Sequence, residues 1–158
     1  MKVGVFLSDF EKAQNVVSKI AELSIQLHKL GIIKHNCKIP DDYAKWFCVH
    51  KFSLKLSKIE NSGYFAISKF GEKVQIRSKI GSDIDFTLSF DDILLNEFDY
   101  LLIVFINKET WMIDSIYKVS HHTLKDFFNS KNSSFKWSRE SRSLSLQLYP
   151  EEDNMITL

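Results

Sequence analysis

The sequence predicts an α+β protein, an α/β sandwich in which a mixed central β-sheet is flanked by helices. Three observations lead to this class: a long amphipathic helix near the start, strand-like segments in the middle, and a short helix and strand near the end. The chain has 158 residues and is 44% hydrophobic, so a single domain over residues 1–158 can bury a core. We expect residues 1–31 to form an N-terminal helical extension and residues 150–158 to form a loose acidic tail.

The first helix is predicted from a capping signal and an apolar stripe. Ser8 followed by Glu11 matches a capping box, and Gly31 is placed as a C-terminal stop. Apolar residues recur between them at helical spacing, so the helix has one apolar face. We expect this face to bury against the sheet, and the alternative is a surface for a homodimer or another partner. The stripe consists of Ala13, Val16, Val17, Ile20, Leu23, Leu27 and Leu30.

The other elements are predicted from capping residues, alternation and apolar runs. Pro40 at a helix start predicts a second helix over 41–50. The continuous apolar run over 98–106 is typical of a strand buried on both faces, and 111–119 is expected to be its hairpin partner. We also expect strands over 2–7, 52–56, 85–88 and 143–149, helical turns over 90–95, a helix over 121–128 capped by Ser120, and a polar loop after it.

Residues 63–80 form the centre of the predicted sheet, as two short strands joined by a tight turn at 70–73. Alternate side chains of a strand point to opposite faces of its sheet. Gln75 and Arg77 are therefore expected to lie side by side. One face of the second strand carries Val74, Ile76, Ser78 and Ile80, and the other carries Gln75, Arg77 and Lys79.

Three short motifs follow one another along the chain: D-Y-A-K-W at 42–46, G-Y-F-A-I at 63–67 and Q-I-R-S at 75–78. Their order and spacing resemble the core of the PD-(D/E)XK, restriction-endonuclease-like superfamily, in particular a bacterial branch of restriction-like domains. The segment 97–105 is similar to the next core strand of that branch, and the likeness spans roughly residues 23–117. The resemblance implies a restriction-like fold and a role in phage defence, restriction or counter-defence.

The positions that the resemblance assigns to the active site carry altered residues. An acidic helix residue of the family falls on Lys45, its metal-binding aspartate on Phe65 and its lysine on Arg77, whereas Gln75 stands where many relatives have Glu or Gln. Metal-assisted phosphodiester cleavage needs carboxylate ligands for Mg²⁺. An arginine stays protonated and cannot act as the base. The resemblance therefore implies a degenerate site without a metal or other cofactor, in a protein that binds DNA, RNA or a partner subunit.

Two alternatives remain open. In the first, a carboxylate that is nearby in sequence restores a Mg²⁺ site, and the protein is an active, divergent endonuclease. The candidates are Glu60, Glu72, Asp83 and Asp85, which are otherwise solvated loop residues. In the second, the protein is an interaction module that uses its long first helix and has no nucleic-acid role.

Charge restricts where nucleic acid could bind. The net charge is +1, so the whole molecule has no general attraction for a polyanion. Contact must come from a local basic face, and ordinary solvated surface is the competing interpretation. The residues predicted to contact nucleic acid are Lys55, Lys73, Arg77, Lys79, Lys136 and Arg139.

Cellular location and metal content are predicted from the presence or absence of four features: a secretory leader, an apolar membrane span, a disulfide framework and a set of zinc ligands. We expect a cytoplasmic protein that does not enter a membrane, because we see no secretory leader and no run of about 20 apolar residues. Two cysteines, Cys37 and Cys48, do not suggest a disulfide framework. Zinc could be held by these cysteines with His35 and His50. We do not predict such a site, because Cys48 and His50 would diverge by about 200° on a helix.

Overall fold

The computed structural model describes residues 8–29, 38–58, 63–81, 85–90 and 97–151. Within these ranges the chain forms four helices and nine strands. The helices are α1 (Asp9–Lys29), α2 (Ile39–Lys51), α3 (His121–Asp126) and α4 (Arg139–Ser143). The strands are β1 (Lys55–Leu56), β2 (Ala66–Ile67), β3 (Lys73–Ile80), β4 (Phe86–Ser89), β5 (Tyr100–Ile106), β6 (Ile113–Ser120), β7 (Phe128–Asn129), β8 (Ser134–Trp137) and β9 (Leu146–Tyr149).

The main sheet has six strands in the order β1-β2-β3-β5-β6-β9, and a smaller sheet has the order β4-β8-β7. Strands β3 and β5 pair in parallel, whereas the other neighbours in the main sheet are antiparallel. A parallel pair needs a crossover between its strands, and here the crossover includes β4 of the smaller sheet. The predicted α+β class, with a mixed central sheet and a long N-terminal helix, is confirmed.

Strand β5 lies at the centre of the core, and all seven of its residues are buried. Leu102, Val104 and Ile106 pack in one cluster with residues of α1 and α2. Leu101 and Ile103 belong to a second cluster on the opposite face, together with residues of β8. The main sheet is therefore covered by helices on one face and by the smaller sheet on the other, which explains the uninterrupted apolar run.

Helix α1 begins at the predicted capping box. The backbone N–H of Ser8 donates to Glu11 Oε2 at 2.7 Å, and the N–H of Glu11 donates to Ser8 Oγ at 3.3 Å. Val17 is buried in the helix-side core, as predicted for the stripe, but Val16 and Leu23 are more than half exposed. The apolar stripe is therefore only partly used in the domain. The predicted stop at 31 and the predicted strand at 2–7 lie outside the described residues.

The predicted polar loop after α3 is wrong. Helix α3 ends at Asp126 rather than near 128, and the chain continues through β7, β8 and α4. Phe135 and Trp137 alternate along β8 and are fully buried between the two sheets. Sequence reasoning missed this strand because only two apolar positions alternate within a segment rich in Ser, Asn and Lys.

The final strand is shorter than predicted and its leucines do not form a buried face. Residues 139–143 belong to α4, so the strand begins at Leu146. Leu144 is 59% exposed and Leu146 is 61% exposed. Alternation indicates which side chains share a face, but it does not say whether another layer covers that face. Apart from Phe90, the predicted helical turns at 90–95 lie outside the described part of the chain.

Burial of β5 on both faces predicts that neighbouring leucines are equally costly to truncate. Leu101→Ala and Leu102→Ala should each lower the free energy of unfolding by about 2–5 kcal/mol, because each leaves a cavity in a different layer. Urea denaturation measures both changes. Leu144→Ala is the matched control and should change stability by less than about 0.5 kcal/mol. A small effect of either β5 substitution would contradict the three-layer arrangement.

Candidate functional site

Strand β3 carries two of the predicted site residues and places them on the face predicted for them. Gln75 pairs with Leu101 of β5, and Arg77 pairs with Ile103. Both partners belong to the core on the small-sheet side. Ser78 lies on the opposite face, where its Oγ donates to Asp41 Oδ1 of α2 at 2.6 Å. The predicted alternation along β3 is therefore confirmed.

Lys45 and Phe65 meet on the helix side of the sheet. The Lys45 ammonium lies 5.4 Å from the centre of the Phe65 ring, within the range of a cation–π contact. Together with Trp46 and Leu56, they border a groove of about 230 Å³ between α2 and β1. The four positions assigned by the resemblance thus form two pairs, one on each face of the sheet, rather than one cluster.

A short network fastens α2 to β3. Asp41 accepts a hydrogen bond from Ser78 through one carboxylate oxygen and from the Lys45 ammonium through the other, at 2.7 Å. Partial burial raises the pKa of Asp41, but the hydrogen bonds from Lys45 and Ser78 and the charges of Lys45 and Arg77 outweigh it. The net effect is a pKa below the ordinary value of 3.8. The carboxylate is therefore ionised near neutral pH.

Gln75 connects two of the sequence motifs. Its side chain is only 7% exposed. Its amide Nε2 donates to the carbonyl of Gly63 at 3.3 Å, and its Oε1 accepts from the backbone N–H of Ile76 at 2.9 Å. A Cβ at Gly63 would collide with the side chain of Glu97, so glycine is required at this close approach. Gln75 therefore holds the loop before β2 against β3.

Four of the six predicted basic residues lie on one face of the main sheet. Lys55 in β1 is paired with Ile67 in β2, which is paired with Lys73 in β3, so these three side chains share a face. Arg77 and Lys79 follow at alternate positions of β3 and point the same way. We call Lys55, Lys73, Arg77 and Lys79 the basic face. It lies opposite the helices, at the edge of the sheet formed by β1–β3.

Each cation of β3 on the basic face lies against an aromatic ring. Lys73 Nζ is 5.3 Å from the ring centre of Tyr64, the Arg77 guanidinium carbon is 5.3 Å from that of Phe90, and Lys79 Nζ is 5.5 Å from that of Phe86. Such contacts orient long side chains without neutralising them. Sequence reasoning missed these rings because they come from separate segments of the chain.

The other two predicted basic residues lie elsewhere. Lys136 pairs with Thr87 in the smaller sheet and is exposed, while its neighbours in β8 face the core. Arg139 begins α4 and lines a groove beside β6 and β9.

The basic face also has an acidic neighbour, since Asp99 accepts from the backbone N–H of Lys73 at 2.7 Å.

Two of the carboxylates proposed to restore a metal site can be located. Glu72 accepts from Ser68 Oγ at 3.0 Å and lies 4.0 Å from Lys118 Nζ. Asp85 is exposed just before β4, whereas positions 60 and 83 lie outside the described residues. Over the described ranges, no group of three or more His, Cys, Asp or Glu side chains is arranged to hold a metal ion.

The possible zinc ligands are only partly described. Cys48 is fully buried in the helix-side core, where burial raises the pKa of its thiol to about 12. His50 is exposed on the same helix, and its ring lies 2.8 Å from the carbonyl oxygen of Trp46. Positions 35 and 37 lie outside the described ranges.

The comparisons with known proteins assign no family. The chain matches none of the protein-family models scanned, and a search of curated proteins finds no match. Among the helices that the structure describes, none combines the length and apolar character needed to span a bilayer.

The Asp41 network predicts a pH-dependent contribution to stability. A carboxyl whose folded pKa is lowered stabilises the fold above its unfolded pKa, and this contribution is lost as the pH falls through the folded value. Asp41→Asn should therefore lower the free energy of unfolding at pH 7 by about 1 kcal/mol, since the network is half-exposed. The difference from the unsubstituted protein should begin to close as the pH falls below 3.8, the ordinary pKa of the carboxyl, and should close fully only below the lowered pKa of folded Asp41.

Chemical denaturation between pH 2.5 and 7 measures this difference. Asp42→Asn is the matched control, because it removes an exposed negative charge from the same helical turn without removing the link to Ser78. An equal loss at pH 7 in both variants would assign the effect to the charge near the helix start rather than to the network.

Proposed function

We propose that the protein binds nucleic acid through the basic face and does not cut it. The observation that carries this proposal is the strand register, which brings cations from β1 and β3 onto one face although the chain is nearly neutral. A protein can attract a polyanion through such a local concentration of charge.

The dimensions of the basic face suit an extended polyanion. Alternate residues of a strand are about 6.6 Å apart, so Lys73 and Lys79 lie about 20 Å apart along β3. Lys55 is two strands away, which adds about 10 Å across the sheet. Lys55, Lys73 and Lys79 are exposed, whereas Arg77 is half-buried. The three lysines would contact phosphates, and Arg77 would add a fixed charge between them.

The residues on the helix side favour binding without cleavage. Lys45 and Phe65 bring no carboxylate of their own, and both oxygens of the neighbouring Asp41 carboxylate already accept hydrogen bonds, from Lys45 and Ser78. The resemblance to restriction-like domains adds the same expectation, and with it a setting in phage defence, restriction or counter-defence in the cytoplasm. In this proposal, the nuclease framework serves to bind rather than to hydrolyse.

A second candidate function is self-association through α1. Val16 and Leu23 are seven residues apart on this helix and more than half exposed. This spacing places both side chains on one side of the helix, as in a coiled-coil seam. A homodimer, or a complex with another protein subunit, would cover them and would be compatible with the basic face on the opposite side of the main sheet.

Removing the lysines of the basic face should weaken nucleic-acid binding. Lys55→Gln, Lys73→Gln and Lys79→Gln combined should raise the Kd at least tenfold at about 0.1 M salt, and should reduce the salt slope by about 0.9 for each lost contact to duplex phosphate. Fluorescence anisotropy with labelled duplex DNA, single-stranded DNA and duplex RNA measures Kd at several salt concentrations. The same experiment determines which type of nucleic acid is preferred.

The control for that experiment removes the same charge elsewhere. Lys29→Gln, Lys108→Gln and Lys125→Gln combined change three exposed lysines on α1, on the loop after β5 and on α3. This variant should keep most of the affinity. An equal loss in both triple variants would mean that net charge, not the basic face, controls binding. Absence of salt-sensitive binding in the unsubstituted protein would refute the proposed function.

Arg77 tests whether the centre of the basic face takes part in binding. Arg77→Ala should weaken nucleic-acid or partner binding several-fold, because it removes a fixed positive charge between the lysines. Arg77→Lys should retain more of the affinity than Arg77→Met, which preserves much of the side-chain bulk over Phe90 without the charge. Anisotropy titrations of the three variants, with thermal melts to check folding, make the comparison. Unchanged binding in all three would exclude a role for Arg77.

A further inference from the structure

A separate groove of about 540 Å³ lies at the other edge of the main sheet, beside β6 and β9. Arg139 and Arg142 of α4 line it, together with Tyr117 and Gln147. Among the described residues that line the groove, none is acidic. A groove with two guanidinium groups and no carboxylate lining is suited to an anionic ligand.

The position of the two arginines follows from the anchoring of α4. Ser138 and Ser141 form a capping box, in which the N–H of Ser138 donates to Ser141 Oγ at 2.8 Å and the N–H of Ser141 donates to Ser138 Oγ at 3.3 Å. Ser141 is fully buried, so this turn is fixed against the core. Arg139 and Arg142 are three positions apart and share one side of the helix, whereas Glu140 is about 100° away from Arg139.

The floor of the groove is also held by specific contacts. The guanidinium carbon of Arg142 lies 5.2 Å from the ring centre of Tyr117. The Tyr117 hydroxyl donates to Gln147 Oε1 at 2.9 Å, across the β6–β9 pair. The register of this pair shifts between Ile116 and Tyr117, and such irregularities re-aim side chains at the edge of a sheet. Arg142 is thus supported by a ring that is itself hydrogen-bonded.

We infer that this groove binds a phosphate monoester. A terminal phosphate carries a charge of about −1.5 to −2 at pH 7, which the two guanidinium groups can balance, whereas a backbone diester carries only one negative charge. Ser143 and Ser145 also line the groove, but their hydroxyl protons are donated to backbone carbonyls of α4, so recognition of the phosphate depends on the two arginines. The ligand is a free phosphate, a small phosphorylated molecule such as a nucleotide, or the phosphorylated end of a nucleic acid.

This inference does not rest on the proposed function. The groove lies beside β6 and β9, and the basic face lies on β1–β3 at the opposite edge of the main sheet. The two edges are three strand spacings apart between β3 and β9, or about 14 Å. Variants of one edge can therefore be tested without altering the other.

Isothermal titration calorimetry with the full chain tests the groove. The ligands are inorganic phosphate, adenosine 5′-monophosphate, adenosine 3′,5′-cyclic monophosphate and adenosine. The monophosphate should bind at least tenfold more tightly than the cyclic diester or the nucleoside. Arg139→Gln with Arg142→Gln should weaken the monophosphate at least tenfold, while the control Lys108→Gln with Lys125→Gln, which removes the same charge, should not.

Two further measurements separate a loss of binding from a loss of folding and distinguish the possible sources of the phosphate. Because Arg142 also packs on Tyr117, thermal melts check folding, and Arg139→Gln alone should still weaken binding of the monophosphate several-fold. Anisotropy with a short oligonucleotide bearing either a 5′-phosphate or a 5′-hydroxyl distinguishes the sources of the phosphate. A preference for the 5′-phosphate that disappears in the double arginine variant would identify a nucleic-acid end, and equal binding would identify a small ligand.

The inference is overturned if the unsubstituted protein binds neither phosphate nor the monophosphate at millimolar concentration. It is also overturned if the double arginine variant binds the monophosphate as tightly as the unsubstituted protein, or if the cyclic diester binds equally well. Loss of oligonucleotide binding in the lysine variant of the basic face, with monophosphate binding retained, would support this groove as a separate site. A result that refutes nucleic-acid binding by the basic face, with monophosphate binding retained, therefore leaves the inference about the groove standing.

Discussion

The structure depends on one constraint, the burial of strand β5 on both faces. Its seven buried residues alternate between two clusters, so a layer must cover each side of the main sheet. Helices α1 and α2 cover one side, and the smaller sheet covers the other. Without either layer, large aliphatic side chains of β5 would be exposed to water. Full burial of each such side chain contributes about 1.5–3 kcal/mol to the stability of the fold. The parallel pairing of β3 with β5 contributes to the second layer, because the crossover that a parallel pair needs includes β4.

Strand β3 has a different composition because it lies closer to the edge. Its helix-side residues Val74 and Ile76 are buried, whereas its opposite face carries Gln75, Arg77 and Lys79. The smaller sheet packs mainly over β5 and β6, so Lys79 is exposed and Arg77 is half-buried at the edge of that layer, whereas Gln75 is buried. Gln75 satisfies its amide by holding the loop at Gly63, and the cations lie along aromatic rings. The polar face is thus a consequence of where the covering layer ends.

Elements with a strong local signal could be predicted from the sequence. The capping box at Ser8, the alternation along β3 and the apolar run of β5 each depend on neighbouring residues and were found where expected. Features that depend on distant residues could not be predicted. Asp41 and Ser78 are 37 positions apart, and no local pattern indicates that they share a hydrogen bond. The four positions that the resemblance assigns to an active site lie on both faces of the sheet, and the side of Phe65 depends on packing against the helix-side core, which no local pattern indicates. Strand β8 was missed because its two buried aromatic residues stand in a polar segment.

Asp41 links the two faces electrostatically. Its pKa is lowered chiefly by the hydrogen bonds from Lys45 and Ser78, which overcome the effect of burial, and Arg77 adds a favourable charge from the other side of the sheet. A polyanion bound near Arg77 would offset that positive charge and weaken this part of the support for Asp41. The effect must be small, since Lys45 Nζ lies 2.7 Å from the carboxylate and acts through a direct contact. Attachment of α2 therefore survives changes in charge on the basic face. Substitutions of Lys55, Lys73 and Lys79 can therefore alter binding of an anion while leaving the fold intact, because these side chains are exposed. Arg77 differs from them, since it packs on the buried ring of Phe90.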